Sequence, residues 1–143
     1  MFTNPSSDQI AQLLRSARVI AVVGLSADAS RPSYHVAGEL QHFGYRIIPV
    51  TPTAPEVLGE RSVPDLAHLP DVLRPGESVD IVDVFRRPEY VAALVDECIR
   101  LKLPAVWLQD GVIDETAAER ARAAGVFTVM DRCIYRDRAA LRR

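Results

Sequence analysis

Five short apolar runs rich in β-branched residues, at 19–23, 46–50, 79–84, 105–108 and 126–130, punctuate the chain, and helical patterns separate them. Strands divided by helices return in the same direction, so this spacing predicts an α/β fold with a five-stranded parallel sheet and helices on both faces. In 35–43, Val36, Leu40 and Phe43 recur at i, i+4 and i+7 until Gly44 stops the helix. In 89–102, Val91, Leu94, Val95 and Cys98 share a face behind Pro88 at the first helical position. Residues 115–124 form an alanine-rich helix between an Asp114 cap and Gly125. An additional N-terminal helix over 7–17 turns Ile10, Leu13, Leu14 and Ala17 inward.

The exception to this rhythm is the stretch 51–78, which holds five of the ten prolines. It reads as a long, mostly irregular crossover with one helical turn near 65–68. Pro49 removes one ladder donor from the second strand but stands near its end, where the loss is tolerable. No internal repeat or low-complexity segment interrupts the pattern. The 143 residues suit one domain, with a core over about 10–133 and a C-terminal tail over 134–143.

Charge narrows the function. Seventeen basic against nineteen acidic residues leave a net charge of −2, so nucleic acid is not an expected partner and any anion site must be local. The N-terminal MFTNPSSDQ lacks a basic n-region, and the uncharged run 19–27 is too short for a membrane span, so the expectation is a cytoplasmic protein without membrane association. Cys98 and Cys133 form neither a disulfide framework nor a zinc-spaced cluster, so no metal is expected.

A parallel sheet of this kind binds ligands beyond the carboxyl ends of its strands. That rule nominates 24–31, 51–53, 85–87 and 109–111. In the first of these, Gly24 permits a sharp turn, Ser26 offers a hydroxyl, and Pro32 opens a helix whose free N–H groups favour a phosphate. The turn has one glycine where a dinucleotide fingerprint has GxGxxG, and no GxxxxGK[ST] occurs. The second strand ends in Pro49-Val50-Thr51-Pro52 without the carboxylate that holds an NAD ribose. A ligand whose ribose carries a phosphate fits better, either coenzyme A or NADP, and Arg86-Arg87 could meet that phosphate.

The blocks VVGLS…RPSY, YRIIPVTP, VDVFRRPE, VWLQDGV and AGVFTVMDRC, in this order, resemble the small stand-alone CoA-binding proteins, which are similar to the CoA-binding domain of the succinyl-CoA synthetase alpha subunit. The resemblance runs from about residue 10 to residue 133. It implies a three-layer, Rossmann-like domain holding coenzyme A or an acyl-CoA across the strand ends. The pyrophosphate would sit at Gly24, Ser26, Arg31, Pro32 and Ser33. Thr51, Pro52 and Thr53 would border the phosphates, and the adenine end would lie by Val84, Phe85 and Arg86. Two blocks depart from the family: Thr51-Pro52-Thr53 stands where Asn-Pro-Lys is common, and Asp110 occupies the fourth position of a block usually read Trp-Met-Gln-Leu-Gly.

Other conspicuous residues have plainer readings. Tyr34 and Trp107 read as packing residues, His42 and His68 as surface residues, and Cys98 as core. His35 is the histidine nearest the phosphate turn but has no visible proton relay. Cys133 follows the fifth strand on the ligand side beside Arg132, whose charge could activate it toward a mixed disulfide with the CoA thiol. The arginine-rich end, RCIYRDRAALRR, reads as a solvated tail or helix end. No Ser/His/Asp set or catalytic carboxylate pair stands out, so no catalytic residue is assigned. The function classes left open are a CoA binder, carrier or sensor, an NAD(P)-binding or partner-interaction module, and a thioester enzyme that needs a partner subunit.

Overall fold

The computed structural model describes residues 1–141. Its elements, in chain order, are α1 (Ser7–Ser16), β1 (Val19–Val23), α2 (Pro32–His42), β2 (Arg46–Val50), β3 (Glu56–Val57), β4 (Glu60–Arg61), β5 (Ile81–Val84), α3 (Val91–Arg100), β6 (Ala105–Leu108), α4 (Glu115–Ala123), β7 (Phe127–Val129) and α5 (Ile134–Ala139). Strands β2-β1-β5-β6-β7 form one sheet in that order, and every pairing in it is parallel. The order reverses between β1 and β5, which makes the crevice beyond those two strands the switch point of a Rossmann-like sheet.

Because the pleat sends alternate side chains to opposite faces, each strand feeds two cores. Ala21, Val23, Ile48, Val82, Val84, Val106 and Leu108 pack with Val91, Val95 and Cys98 of α3 and with Ala117, Ala118 and Ala121 of α4. Ile20, Val22, Ile47, Ile81, Trp107 and Val129 pack with Ile10 and Leu14 of α1, Val36, Ala37 and Leu40 of α2, and Ile134 of α5. The result is the three-layer arrangement with an additional N-terminal helix.

Local chemistry sets the boundaries. Helix α1 begins with a capping box in which Ser6 and Gln9 satisfy each other's amides, and Asp114 caps α4 by accepting from the Ala117 amide at 3.0 Å. Strand β5 starts two residues later than expected because Asp80 turns aside, its carboxylate accepting from the Arg18 and Val19 amides at 2.8 and 3.0 Å. Strand β7 is shorter than expected for a similar reason: the Asn4 side chain brackets Met130, accepting from its N–H at 2.8 Å and donating to its carbonyl at 2.9 Å. The helix expected from residue 89 opens instead with a 3-10 turn, Pro88–Tyr90, before α3 proper.

Pro49 has a simple place. Its carbonyl accepts from the Val63 N–H at 3.0 Å on the outer edge of β2, so its nitrogen faces that edge and β1 loses no ladder bond.

The crossover is more ordered than its prolines suggest. Strands β3 and β4 form a hairpin through Leu58 and Gly59 at φ 54° and 79°, the left-handed pair that a two-residue turn requires. A 3-10 helix follows at Leu66–Asp71, capped by Asp65, and extends past the single turn expected at 65–68. Arg46, at the start of β2, holds the crossover down: its guanidinium donates to the Val72 carbonyl at 2.7 Å and pairs with Glu77 at 2.8 Å.

Of the two readings of the C-terminal segment the structure gives the helix, α5, with Ile134 fully buried. Arg138 lies over the Phe43 ring at 4.6 Å and donates to the Tyr45 hydroxyl at 3.1 Å, while that hydroxyl donates to the Leu14 carbonyl. The last two arginines of the expected tail, Arg142 and Arg143, lie outside the described residues.

Candidate functional site

Strand β1 runs into Gly24, where the ends of three strands converge. The Gly24 N–H donates to the Val50 carbonyl of β2 at 3.0 Å, and the Phe85 N–H after β5 donates to the Val23 carbonyl at 2.9 Å. Gly24 adopts φ +83°, and any Cβ there would collide with the Phe85 carbonyl oxygen. Glycine is required here on both grounds.

Beyond Gly24 the chain is tied by short polar side chains. The Ser26 N–H donates to Ser33 Oγ at 3.0 Å, joining the turn to the first turn of α2, and Ser26 Oγ accepts from the Asp28 N–H at 3.0 Å. The Ser30 amide and hydroxyl both donate to Asp28 and hold its carboxyl below the usual range. Arg31 occupies the N-cap of α2 without a side-chain cap bond, Pro32 follows at the first helical position, and the Ser33 N–H has no acceptor among the described residues. An unsatisfied amide at the positive end of a helix favours an anion.

This turn forms one wall of a cavity of about 510 Å³ at the switch point. Of the residues expected at the site, Gly24, Ser26, Arg31, Pro32, Ser33 and Phe85 line it together. The others lie outside its wall. Thr51 is buried with its hydroxyl on Thr53 at 2.9 Å, and Pro52 and Thr53 are exposed at the end of β2. Arg86 stands beside Gly24, with its guanidinium over the Tyr90 ring at 4.0 Å. Val84, expected near the adenine end, is fully buried in the core under α3 and α4, and its carbonyl accepts from the Gln109 N–H.

The remaining wall comes from Val36, Gln109, Asp110, Val112 and Cys133. Gln109 and Asp110 belong to a strand end that the sequence nominates without giving it a role. Val36 carried only the signal of a core residue, and Val112 stands in the VWLQDGV block without a role of its own. Asp110 pairs with Arg136, which neutralises a carboxylate that would otherwise repel an anion. Arg132 directs both arms of its guanidinium to Asp137 at 2.7 Å. Trp107 is fully buried and donates to the Arg132 carbonyl at 2.8 Å; exposed His35 packs edge-on against Tyr135.

The electrostatic balance around the crevice is positive. Among the described residues, Arg31, Arg86 and Arg87 make no ion pair, whereas the acids nearest the cavity, Asp28 and Asp110, are satisfied by Ser30 and Arg136. Beneath the crevice, two residues before Phe85 and on the same face of β5, Asp83 is fully buried with neither carboxylate oxygen bonded. Burial pushes its carboxyl well above the usual range. Among the described residues no cluster of metal-ligating side chains occurs, and no helix is long and apolar enough to cross a membrane.

Residues 18–138 match the family model described as a CoA binding domain. The uncharacterized protein YneT of Bacillus subtilis (strain 168) is 37% identical over 131 residues, which is 92% of this chain and 93% of YneT. A solved structure of a protein from Pyrococcus horikoshii OT3 superposes with a TM-score of 0.87 at 28% identity, over 99% of this chain and 98% of its own. One from Thermus thermophilus gives 0.85 at 34% identity, over 94% and 98%.

Proposed function

Since this chain belongs to the CoA binding domain family, we propose that it binds coenzyme A or an acyl-CoA in the crevice beyond β1 and β5, as a non-catalytic binder. The observation that carries this reading is the single cavity that joins the Gly24 turn, the open N-terminus of α2 and the end of β5. In it the pyrophosphate faces Gly24, Ser26, Arg31, Pro32 and Ser33, where the unsatisfied Ser33 amide and the Arg31 guanidinium supply the positive charge. Thr51, Pro52 and Thr53 border the phosphates. The adenine end falls to Phe85 and Arg86, and Arg86 is positioned by Tyr90 to meet the 3′-phosphate.

Two features favour this ligand over NAD. Strand β2 ends without a carboxylate for an adenosine ribose, and the three unpaired arginines suit a ligand with more phosphate. As a cytoplasmic binder, the protein would serve as a carrier or sensor of the thiol nucleotide.

Thermal unfolding with coenzyme A, acetyl-CoA, NAD, NADP and ATP tests the assignment. A ligand of the native state at a hundredfold excess over its Kd stabilises by about 2.7 kcal/mol, so coenzyme A and acetyl-CoA should raise Tm while NAD leaves it unchanged. A larger shift with NAD than with coenzyme A would overturn the reading.

A further inference from the structure

The phosphate reading leaves the wall made by β6 and the segment after β7 unused. Strand β6 stands two positions from β1 in the sheet, so its end lies about 10 Å across the crevice from the Gly24 turn. The pantetheine arm of coenzyme A is long enough to cross that gap.

Beside Asp110, which Arg136 engages, the polar groups there are Gln109 and Cys133. The Gln109 side chain is only 4% exposed, and its Oε1 accepts from the Ile134 N–H at 3.0 Å. That bond fixes which end of the amide is which. It leaves Nε2 in the cavity wall with no acceptor among the described residues. Nε2 is not one of the fully enclosed unpartnered atoms, so it is open to the cavity, where an acceptor from outside the chain can meet it.

Cys133 is the residue next to that bond, and it also lines the cavity. Strand β6 pins its backbone from both sides: Trp107 Nε1 donates to the Arg132 carbonyl, and Gln109 accepts from the Ile134 amide. The Cys133 sulfur itself makes no hydrogen bond among the described residues. Cys98, by contrast, is fully buried on the inner face of α3, and burial pushes its thiol up to about 12.

We propose that Gln109 and Cys133 form a thiol subsite, in which Gln109 Nε2 donates to an amide carbonyl of the pantetheine arm and Cys133 forms a mixed disulfide with the coenzyme. This rests on the ligand proposed above. The co-reactant is the symmetric disulfide of coenzyme A. The Cys133 thiolate attacks one of its sulfurs, the new bond joins Cys133 Sγ to that sulfur, and the old S–S bond breaks. The second coenzyme leaves as a thiolate and takes up the proton that Cys133 gave up, so one disulfide is exchanged for another with no further oxidant.

The test is intact-mass analysis and peptide mapping of the whole protein after incubation with coenzyme A disulfide, beside thermal shift with reduced coenzyme A. One adduct per chain is expected, mapped to Cys133, reversed by dithiothreitol, retained in Cys98→Ser and absent in Cys133→Ser. Gln109→Glu keeps the acceptor for the Ile134 N–H and loses the Nε2 donor, so the rate of its formation relative to reaction with glutathione disulfide should fall about fivefold, the worth of one hydrogen bond. If reduced coenzyme A stabilises the protein but no adduct maps to Cys133, or if glutathione disulfide reacts as fast, the thiol subsite is wrong and the ligand assignment stands. Absence of both the shift and the adduct would remove both.

Discussion

A Cβ at Gly24 would stand well inside 3.0 Å of the Phe85 carbonyl oxygen. The turn after β1 and the end of β5 are thus pressed together where the strand order reverses. Gly24→Ala must move the backbone of one or the other, in addition to holding alanine at φ +83°. Left-handed backbone alone costs about 1–3 kcal/mol, so stability should fall by more than about 2 kcal/mol in urea unfolding. Coenzyme A binding should be lost in the same variant; retained stability would mean that β5 yields easily.

Ser33 acts through Ser26. Its buried hydroxyl accepts the Ser26 N–H at 3.0 Å and ties the anion-receptive turn to α2. Ser33→Ala leaves that amide without its partner and should cost about 1 kcal/mol of stability. Calorimetric titration should also find a higher Kd for coenzyme A, because the turn facing the diphosphate is looser. An unchanged Kd would separate the tie from the ligand.

Arg86 gives a test at the level of single phosphates. Held 4.0 Å over Tyr90 with no ion-pair partner among the described residues, it is available to a ribose phosphate. A charge-assisted hydrogen bond contributes about 1.5–3 kcal/mol. Arg86→Ala should therefore weaken coenzyme A at least tenfold and dephospho-CoA little. Equal losses for the two ligands would take the 3′-phosphate away from Arg86.

Asp83 makes stability fall with rising pH. Burial lifts its folded-state pKa, whereas the unfolded chain ionises it near pH 4. Its favourable contribution is complete below about pH 4 and is lost as pH rises toward the folded value, at about 1.4 kcal/mol per pH unit in that window. The exposed carboxyls of Asp28 and Asp65 and the half-buried one of Glu77 are lowered by their partners and act in the opposite direction. Asp83→Asn isolates the buried group: urea midpoints measured from pH 4.5 to 8 should fall less steeply than in the parent protein. Parallel profiles would exonerate Asp83.

The amino-acid order alone determined the five strands of the main sheet and the helices between them, though not the β3–β4 hairpin or α5. Runs such as 105–108 are apolar at every position, Asp114 and Gly125 bracket their helix, and the Gly24-to-Pro32 turn announces an anion-receptive end. These are local signals, since periodicity, caps and turn residues act within a few residues. Arg138 shows the limit: along the chain it belongs to an arginine-rich tail, and only contact with Tyr45 and Phe43 reveals a packed helix. Val84 and Phe85 show another, because the pleat puts them on opposite faces, but only the packing of α2 and α3 decides which face opens on the crevice. The same holds for Gln109 and Cys133, 24 positions apart yet joined through the Ile134 amide. It holds also for Asp83, whose lack of a partner depends on what Val22 and Trp107 leave beside it. Long-range pairing chooses such neighbours, and their energies arise between segments that no local pattern relates.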